Sequence, residues 1–194
     1  MTLAPWRSHI ARALHRNRSQ PDSRYIQLAT VNAQGLPTNR TVVFRGFLDN
    51  SNQLQIVTDI RSEKVAHIQQ QPWGEICWYF AKTREQFRIA GKLTLVTPNF
   101  AESSLLQQRQ KIWQQLSDAA RSQFNYPSPG KPRSKDIAAF VANPPGKIDP
   151  SENFCLLLLN PQKVDHLELK GEIHNRIIYQ RNQHQSWSIQ EINP

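Results

Sequence analysis

The alternation of apolar and polar residues changes character at residue 25, where runs of β-branched and aromatic residues begin. Residues 25–31, 38–48 and 54–58 are rich in Val, Ile, Thr, Tyr and Phe. Asn, Asp, Ser and Gly dominate the segments 32–35 and 49–52 between them. Such runs and turns are typical of antiparallel strands, so the pattern predicts a three-stranded meander.

The same pattern of strands and turns occurs twice more along the chain. Two strands are predicted at 75–81 and 85–96, joined by a charged link. The C-terminal part predicts three further strands, at 154–159, at 164–169, and at 176–180 with 186–192.

Helical periodicity appears between these strands. Apolar residues recur at helical spacing after Pro5, namely Trp6, Ile10, Ala13 and Leu14. They predict a short amphipathic helix, whose arginine-rich face would also suit a transit or membrane-surface signal. Packing on the body of the protein is the simpler interpretation, because a strand follows almost at once. Three more helices are predicted at 62–71, 101–122 and 136–142.

These elements predict a fold that is mainly β with peripheral helices, in the α+β class. About eight antiparallel strands with three or four helices favour a small closed or partly closed barrel, because closure removes exposed sheet edges. We expect one domain spanning 1–194. Within it, 1–18 would form an N-terminal helix, 101–122 an inserted helix and 154–194 the C-terminal strands.

The net charge indicates which type of partner the protein favours, and the cysteines indicate its redox compartment. The formal net charge of +9 favours anionic partners without identifying them. The excess cations in 1–24 and 121–147 are not clearly interleaved with glycines or aromatics, so the sequence does not favour nucleic acid. Cys77 and Cys155 lie in apolar runs, and we expect buried free thiols in a reducing compartment.

The sequence predicts no membrane partner. The longest uncharged apolar run, 154–159, is far too short to span a bilayer. No signal-peptide pattern opens the chain. We therefore expect a cytoplasmic protein.

Several chemistries have no supporting motif. The glycines fit neither a dinucleotide fingerprint nor a phosphate loop, and no nucleophile elbow is present. The six histidines are dispersed. His166 and His174 could face each other across adjacent strands, but no third ligand accompanies them, so we expect no metal site.

The stretch 40–64 has the residues for binding a phosphate. It reads as a hairpin whose second strand runs into a helix, with Arg40 and Arg45 bracketing the first strand. Ser62 stands where it could cap the helix, and Lys64 lies in its first turn. A helix start and nearby cations suit a phosphomonoester. Taken singly, each residue is more readily explained as a cap, a solvated charge or half of an ion pair.

A proline-dense loop at 126–132 interrupts the second half of the chain. Ordered loops of this kind often lie at a site or an interface, although a surface linker is an equal alternative.

Five motifs in order resemble the pyridoxamine 5'-phosphate oxidase family. They are Arg40-Thr-Val-Val-Phe-Arg45, Ile56-Val-Thr58, Ser62-Glu-Lys64-Val-Ala, Arg84-Glu-Gln86-Phe-Arg-Ile-Ala-Gly91 and Asn175-Arg176-Ile-Ile-Tyr-Gln-Arg with Trp187 beyond it. The match spans about 20–194. More closely, the chain is similar to the divergent branch of pyridoxamine-phosphate-oxidase-related FMN-binding proteins.

The resemblance implies a split β-barrel homodimer that binds two FMN molecules at its subunit interface. It implies that Arg40, Ser62 and Lys64 lie near the FMN phosphate. Residues of the two strands would lie along the flavin, and Gln86 would touch its ring system. The implied cofactor set is Arg40, Thr41, Val42, Val43, Val57, Thr58, Ser62, Lys64, Gln86 and Arg176.

The chain departs from the oxidase pattern mainly where substrate binds. Arg45 stands where the oxidase uses lysine on the substrate phosphate, and Glu172 replaces the arginine of an Arg-x-His clamp that ends here in His174. Arg45 and His174 are thus the implied substrate residues, and no catalytic residue is assigned. Glu63 also replaces a cation near the FMN phosphate, which would lower FMN affinity unless another cation substitutes.

These patterns favour an FMN-binding flavoprotein, an oxidoreductase acting on an unidentified small substrate. Pyridoxamine or pyridoxine 5'-phosphate oxidase activity proper is the alternative among enzymes. A flavin-binding sensor without turnover, or a basic nucleic-acid-binding barrel, are alternatives of other classes.

Overall fold

Eight strands form one antiparallel sheet in the computed structural model, which describes residues 3–141 and 143–194. The strands are β1 (Tyr25–Val31), β2 (Pro37–Phe47), β3 (Leu54–Asp59), β4 (Trp73–Phe80), β5 (Glu85–Val96), β6 (Phe154–Glu168), β7 (Asn175–Arg181) and β8 (Trp187–Ile192). The helices are α1 (Arg7–Arg16), α2 (Glu63–Gln70), α3 (Ser103–Gln114) and α4 (Asp118–Ser122). Turns of 3₁₀ helix occupy Gln123–Asn125 and Ile137–Phe140.

The sheet closes on itself through its longest strand. The strand order is β3-β2-β1-β4-β5-β6-β7-β8, and β3 also pairs with β6. Residues Leu54–Asp59 pair with Phe154–Leu159, which closes a six-stranded barrel. The second half of β6 pairs instead with β7, so β7 and β8 extend beyond the barrel. The predicted fold, mainly β with a split barrel and peripheral helices, is confirmed.

The prediction of two separate strands at 154–159 and 164–169 was wrong, because β6 continues through Pro161. The pairing with β5 shifts register here, since Gly91 faces Pro161 while Ala90 faces Lys163. A residue without an N–H is tolerated in a strand at such a bulge. The approach of the two strands is close, and a Cβ added to Gly91 would lie 2.2 Å from the Asn160 carbonyl oxygen.

Two apolar clusters lie on opposite sides of the barrel wall. The barrel interior is filled by side chains such as Leu28, Phe44 and Trp78. A second cluster lies outside the wall, where Trp113 of α3 packs with Phe124 and Phe154. The first half of β6 contributes to both clusters and is therefore buried on both faces.

The helices differ from their predicted bounds. The helix predicted at 101–122 is two helices, because Ser117 starts α4 by accepting a hydrogen bond at Oγ from the Ala120 amide. The segment predicted as a helix at 136–142 forms only a 3₁₀ turn, and its last residue lies outside the described part. In the N-terminal segment, α1 covers one end of the barrel with Trp6, Ile10 and Ala13 fully buried.

Within residues 3–141 and 143–194, the helices are too short or too polar to cross a membrane.

Replacing Gly91 by alanine is expected to destabilise the fold. The added methyl would collide with the backbone of β6, which cannot move without breaking the barrel wall, so the expected loss is about 1–3 kcal/mol in the free energy of unfolding. Urea denaturation would measure it. Gly146→Ala is the control, because an added Cβ there meets nothing within 4 Å. Equal stability of the two variants would contradict the strand packing described above.

Candidate cofactor site

An open cleft of about 550 Å³ lies on the outer side of β2 and β3. One wall comes from the strands and the start of α2, namely Thr41, Val42, Val43, Arg45, Val57, Thr58, Asp59 and Lys64. The opposite wall consists of Leu116, Ala120, Gln123, Phe124, Tyr126, Pro127, Pro129 and Phe140. The second wall is largely apolar. The cleft therefore combines one wall that carries positive charge with an opposite wall that is apolar.

Strand geometry decides which side chains of β2 reach the cleft. Successive side chains of a strand point to opposite faces, so Val42 and Phe44 are buried against the barrel interior. Thr41 and Val43 accordingly face outward. Arg45 lies at an irregularity in the β2–β3 pairing, between Phe44 and Gly46, and Gly46 adopts a φ of 120°. Arg45 continues the outward alternation of Thr41 and Val43, and it lines the cleft.

Lys64 belongs to a small polar group at the start of α2. Its Nζ donates to Thr58 Oγ1 and Ser62 Oγ, each at 3.0 Å. Ser62 is the N-cap residue, but its hydroxyl donates to the Asp59 carbonyl at 2.7 Å and makes no capping bond. The predicted cap was wrong in this respect, because the hydroxyl turns toward Lys64 instead. Burial, and then repulsion from Arg40, lowers the pKa of Lys64.

Arg45 is the second cation of the cleft. Its Nε is buried and has no hydrogen-bond partner within 3–141 and 143–194. Burial lowers the pKa of Arg45, and the charge of Arg24 lowers it further. Within the described residues neither Arg45 nor Lys64 forms an ion pair with a carboxylate. The cleft thus has two partly buried positive charges that lack anionic partners, an arrangement that favours an anionic ligand.

Arg40 is held away from the cleft. Its Nη1 donates to Thr30 Oγ1 at 2.7 Å and to the carbonyls of Leu28 and Thr38, and its Nη2 donates to Thr38 Oγ1 at 2.8 Å. His67 Nδ1 lies 3.1 Å from the same Thr30 hydroxyl. The surface ion pair considered for Arg40 is not formed, because hydroxyl and carbonyl oxygens accept its hydrogen bonds.

Glu63 also points away from the cleft. Its side chain is 76% exposed, and its carboxylate lies 3.4 Å from His67 Nε2, one helical turn along α2. The carboxylate therefore does not stand beside Lys64 in the cleft. Glu63 lies on the outer side of α2 and faces His67, the histidine that contacts Thr30.

Sequence reasoning missed Arg61 and most of the apolar wall. Arg61 pairs with Asp59, with Nη2 2.6 Å from Oδ2, and its guanidinium also donates to the carbonyls of Phe124 and Tyr126. These bonds hold the proline-dense loop against the start of α2. Pro127 and Pro129 consequently line the cleft, so the loop is more than a surface linker. The density of prolines in the sequence was the available signal for this role of the loop. The hydrogen bonds from Arg61 were not predictable from the spacing of residues along the chain.

The remaining predicted site residues lie on a different surface of the chain. Gln86 accepts a weak hydrogen bond from the Cys77 thiol at 3.7 Å on the outward face of β4 and β5. Arg176 donates to Asp165 Oδ1 and Oδ2 at 3.0 and 2.8 Å. His174 is exposed just before β7 and lines a shallow pocket with Arg176. None of these three residues contributes to the described cleft.

Strand pairing and burial correct two smaller expectations, which concern His166 and Cys77. His166 faces Ile177 across β6 and β7, so it does not face His174. Cys155 is a buried free thiol, and burial raises its pKa to about 12. Cys77 is free but only half-buried, because its strand alternates and places the thiol on the outer face.

Comparison with known proteins agrees with this architecture. Residues 3–97 match the family described as pyridoxamine 5'-phosphate oxidase, FMN-binding domain. Pyridoxine/pyridoxamine 5'-phosphate oxidase 2 of Arabidopsis thaliana is 38% identical over 202 residues, covering 99% of this chain and 98% of that protein.

Solved structures show the same fold over the full length. A pyridoxamine 5'-phosphate oxidase-related, FMN-binding protein of Nostoc punctiforme is 60% identical, with a TM-score of 0.97 and complete coverage of both chains. PhzG of Burkholderia lata, solved with tetrahydrophenazine-1-carboxylic acid, superposes with a TM-score of 0.77 over 100% of this chain and 98% of its own. At 18% identity this second likeness concerns the fold alone.

The fold is therefore that of the split-barrel flavoproteins. The chain belongs to the pyridoxamine 5'-phosphate oxidase family, in agreement with the related FMN-binding branch that its motifs resemble.

Replacing Arg61 by alanine is expected to loosen the apolar wall. The variant loses its charge-assisted bonds to the carbonyls of Phe124 and Tyr126, each of which contributes about 1.5–3 kcal/mol in favourable cases. Amide hydrogen exchange in 124–130 should accelerate by about tenfold or more. Lys131→Ala, at an exposed position of the same loop, is the control and should leave exchange unchanged. Unchanged protection in the Arg61 variant would show that the loop is held by other contacts.

Asp165 is expected to make the stability of the protein pH-dependent at acid pH. Burial alone would raise its pKa, but hydrogen bonds from Arg176 and Arg88 outweigh burial and lower it. A lowered pKa means stability that is present above the ordinary value of 3.8 and is lost as the pH falls through the folded-state value.

The wild-type protein should therefore exceed Asp165→Asn in unfolding free energy at neutral pH, and the difference should shrink below about pH 4. Urea denaturation across this range would measure it. A difference that stayed constant with pH would argue against the arginine pairing.

Proposed function

We propose that this protein binds FMN and acts as an oxidoreductase on a small substrate. The observation that carries the proposal is the pair of unpaired, partly buried cations, Arg45 and Lys64, in a cleft whose opposite wall is apolar. A phosphorylated planar cofactor has this combination of charge and flat surface. Membership in a family of FMN-binding proteins supports the same ligand.

The phosphate of FMN would lie at the start of α2. Lys64 supplies a positive charge there, and the hydroxyls of Thr58 and Ser62 lie 3.0 Å from its Nζ, so all three groups can turn toward one anion. The N-terminus of α2 adds partial positive charge at the same place. Arg40 would join this set only by giving up bonds to Thr30 and Thr38, so we assign it first to holding the strand ends in position.

The flavin ring would lie along the strands, against the side chains of Thr41, Val43 and Val57 and the backbone at Val42. Bound there, FMN supplies the capacity to accept or donate a hydride. The residues of this chain orient the ring and exclude water through the wall that contains Phe124 and Tyr126. Arg45, on its bulge, would bind an anionic group of the substrate at the mouth of the cleft.

We further propose that the working form is a homodimer. Gln86 and Arg176, which the family resemblance assigns to the cofactor, are on the outward face of β5 and β7, away from the cleft of their own chain. A second copy could bring the same residues to the first copy's cleft. The ion pairs that join Arg88 and Arg176 to Asp165 would then pre-orient that surface.

FMN binding is tested by titrating purified protein with FMN and following flavin fluorescence and thermal unfolding. We expect yellow protein, saturable binding and a melting temperature that rises with ligand excess. Lys64→Ala should weaken binding by about tenfold or more, because a charge-assisted bond to phosphate is lost. Lys147→Ala is the control, because Lys147 is exposed and does not line the cleft. Colourless protein with no thermal shift in FMN would overturn the proposal.

Oxidation of pyridoxamine 5'-phosphate is the second candidate function, favoured by the full-length similarity to the Arabidopsis thaliana oxidase. Against it stands Glu172, exposed where that reaction's family has a clamping arginine. Anaerobic mixing of FMN-loaded protein with pyridoxamine 5'-phosphate decides between them. Bleaching of the flavin absorbance would support this activity, whereas an unchanged spectrum would leave a different substrate for the same flavin.

A further inference from the structure

A polar cluster lies at the end of the barrel that α1 covers, on the face of β5 and β6 opposite to Gln86. It consists of His9, Glu85, His166 and Glu168. Glu85 and Glu168 are direct partners across the two strands, and His166 is two residues from Glu168 on the same face. His9 comes from α1, and its ring centroid lies 5.1 Å from that of His166.

The centre of the cluster is buried without adequate partners. The His166 side chain has no solvent exposure, and neither of its ring nitrogens has a hydrogen-bond partner in the described part of the chain. Its Nε2 lies 3.7 Å from Glu168 Oε1 and 3.9 Å from Glu85 Oε1, both too far for hydrogen bonds. Oε2 of Glu85 is also buried and unpartnered. Buried polar atoms in this state are costly, so the cluster is incomplete as a set of protein groups.

The charges of the cluster also indicate that it lacks a cation. Two carboxylates directly opposite each other in a ladder repel, and a neighbouring cation is needed to offset the repulsion. Arg12 supplies part of it, because its Nη2 lies 3.1 Å from His9 Nδ1, 3.4 Å from Glu168 Oε1 and 4.0 Å from Glu85 Oε1. The Arg12 side chain is 44% exposed and does not reach the nitrogens of His166.

We propose that this cluster is a binding site for a divalent transition metal ion of the Zn²⁺ type, with His9, His166 and Glu168 as ligands and Glu85 as the fourth. The candidate ligand atoms of the first three residues all lie within 4.8 Å of one another. Tetrahedral Zn²⁺ with bonds of about 2.1 Å needs ligand atoms about 3.4 Å apart, so side-chain movements on the order of an ångström complete the site. A mixed nitrogen and oxygen set selects zinc-like ions over Ca²⁺ or Mg²⁺.

Packing fixes the ring of His166 beside the other candidate ligands. Phe87 stacks on the ring at 4.1 Å and holds its orientation. Arg12 is exposed enough to swing into solvent when the ion enters. The bound ion would tie α1 to the β5–β6 wall, independently of the cleft and its cofactor.

The test uses the full-length, tag-free protein, first stripped with a chelator and then titrated with Zn²⁺ by calorimetry. Co²⁺ serves as a spectroscopic probe, because tetrahedral coordination gives intense visible absorption. We expect one ion per chain, a higher melting temperature with Zn²⁺, and the same result with or without FMN. His9→Ala should weaken binding by about tenfold or more. His15→Ala, an exposed histidine on the same helix, is the matched control and should bind as the wild type does.

Arg12→Gln separates a metal site from a purely structural ion-pair cluster. Arg12 is the cation that competes for the same acceptors, so its removal should raise Zn²⁺ affinity by about tenfold. If Arg12 were itself the complete partner of the cluster, the variant would lose stability without gaining affinity. The proposal is overturned by wild-type protein without saturable Zn²⁺ binding, by undiminished binding in His9→Ala, or by weaker binding in Arg12→Gln.

Discussion

The pairing of β3 with the first half of β6 is the constraint on which the rest of the structure depends. It closes the barrel, and it uses a strand whose residues 154–159 are almost completely buried on both faces. Leu157 and Leu159 pack inside the barrel, while Leu156 and Leu158 pack under α3 and α4. Arg109 of α3 pins the start of this strand by donating to the Phe154 carbonyl.

This closure also creates the cleft. Because β3 is locked to β6, the turn from β3 into α2 is held beside the helical layer that packs on the outside of β6. Arg61 then bonds the proline loop to that turn. The two buried arginines of the described residues, Arg109 and Arg121, donate to carbonyl or carboxylate oxygens. Arg45 and Lys64 differ in having no carboxylate partner among the described residues, an arrangement that favours an anionic ligand in the cleft.

Much of the β architecture was predictable from local pattern. The strands at 25–31 and 85–96 were predicted with the bounds that the structure has, because apolar residues alternate in part with polar ones there, between turn-forming segments. Continuity of β6 through Pro161 was not predictable, since it depends on a bulge opposite Gly91 in another strand. The division of the helix predicted at 101–122 was missed for a similar reason, because Ser117 fits a helix interior by pattern yet caps α4 in the structure.

By itself the sequence determined the strand repertoire, the excess of positive charge and the motifs that assign the family, since these follow from residue type and spacing. Only the tertiary structure decided which cations are bound by other protein groups and which remain available to a ligand. It turned Arg40 onto Thr30 and Thr38, moved Glu63 toward His67, and left Arg45 in the cleft with no carboxylate partner among the described residues. It also gathered His9, Glu85 and His166 from three distant segments. Spacing along a chain does not encode these contacts, because strand register and helix docking bring the partners together only when the barrel closes.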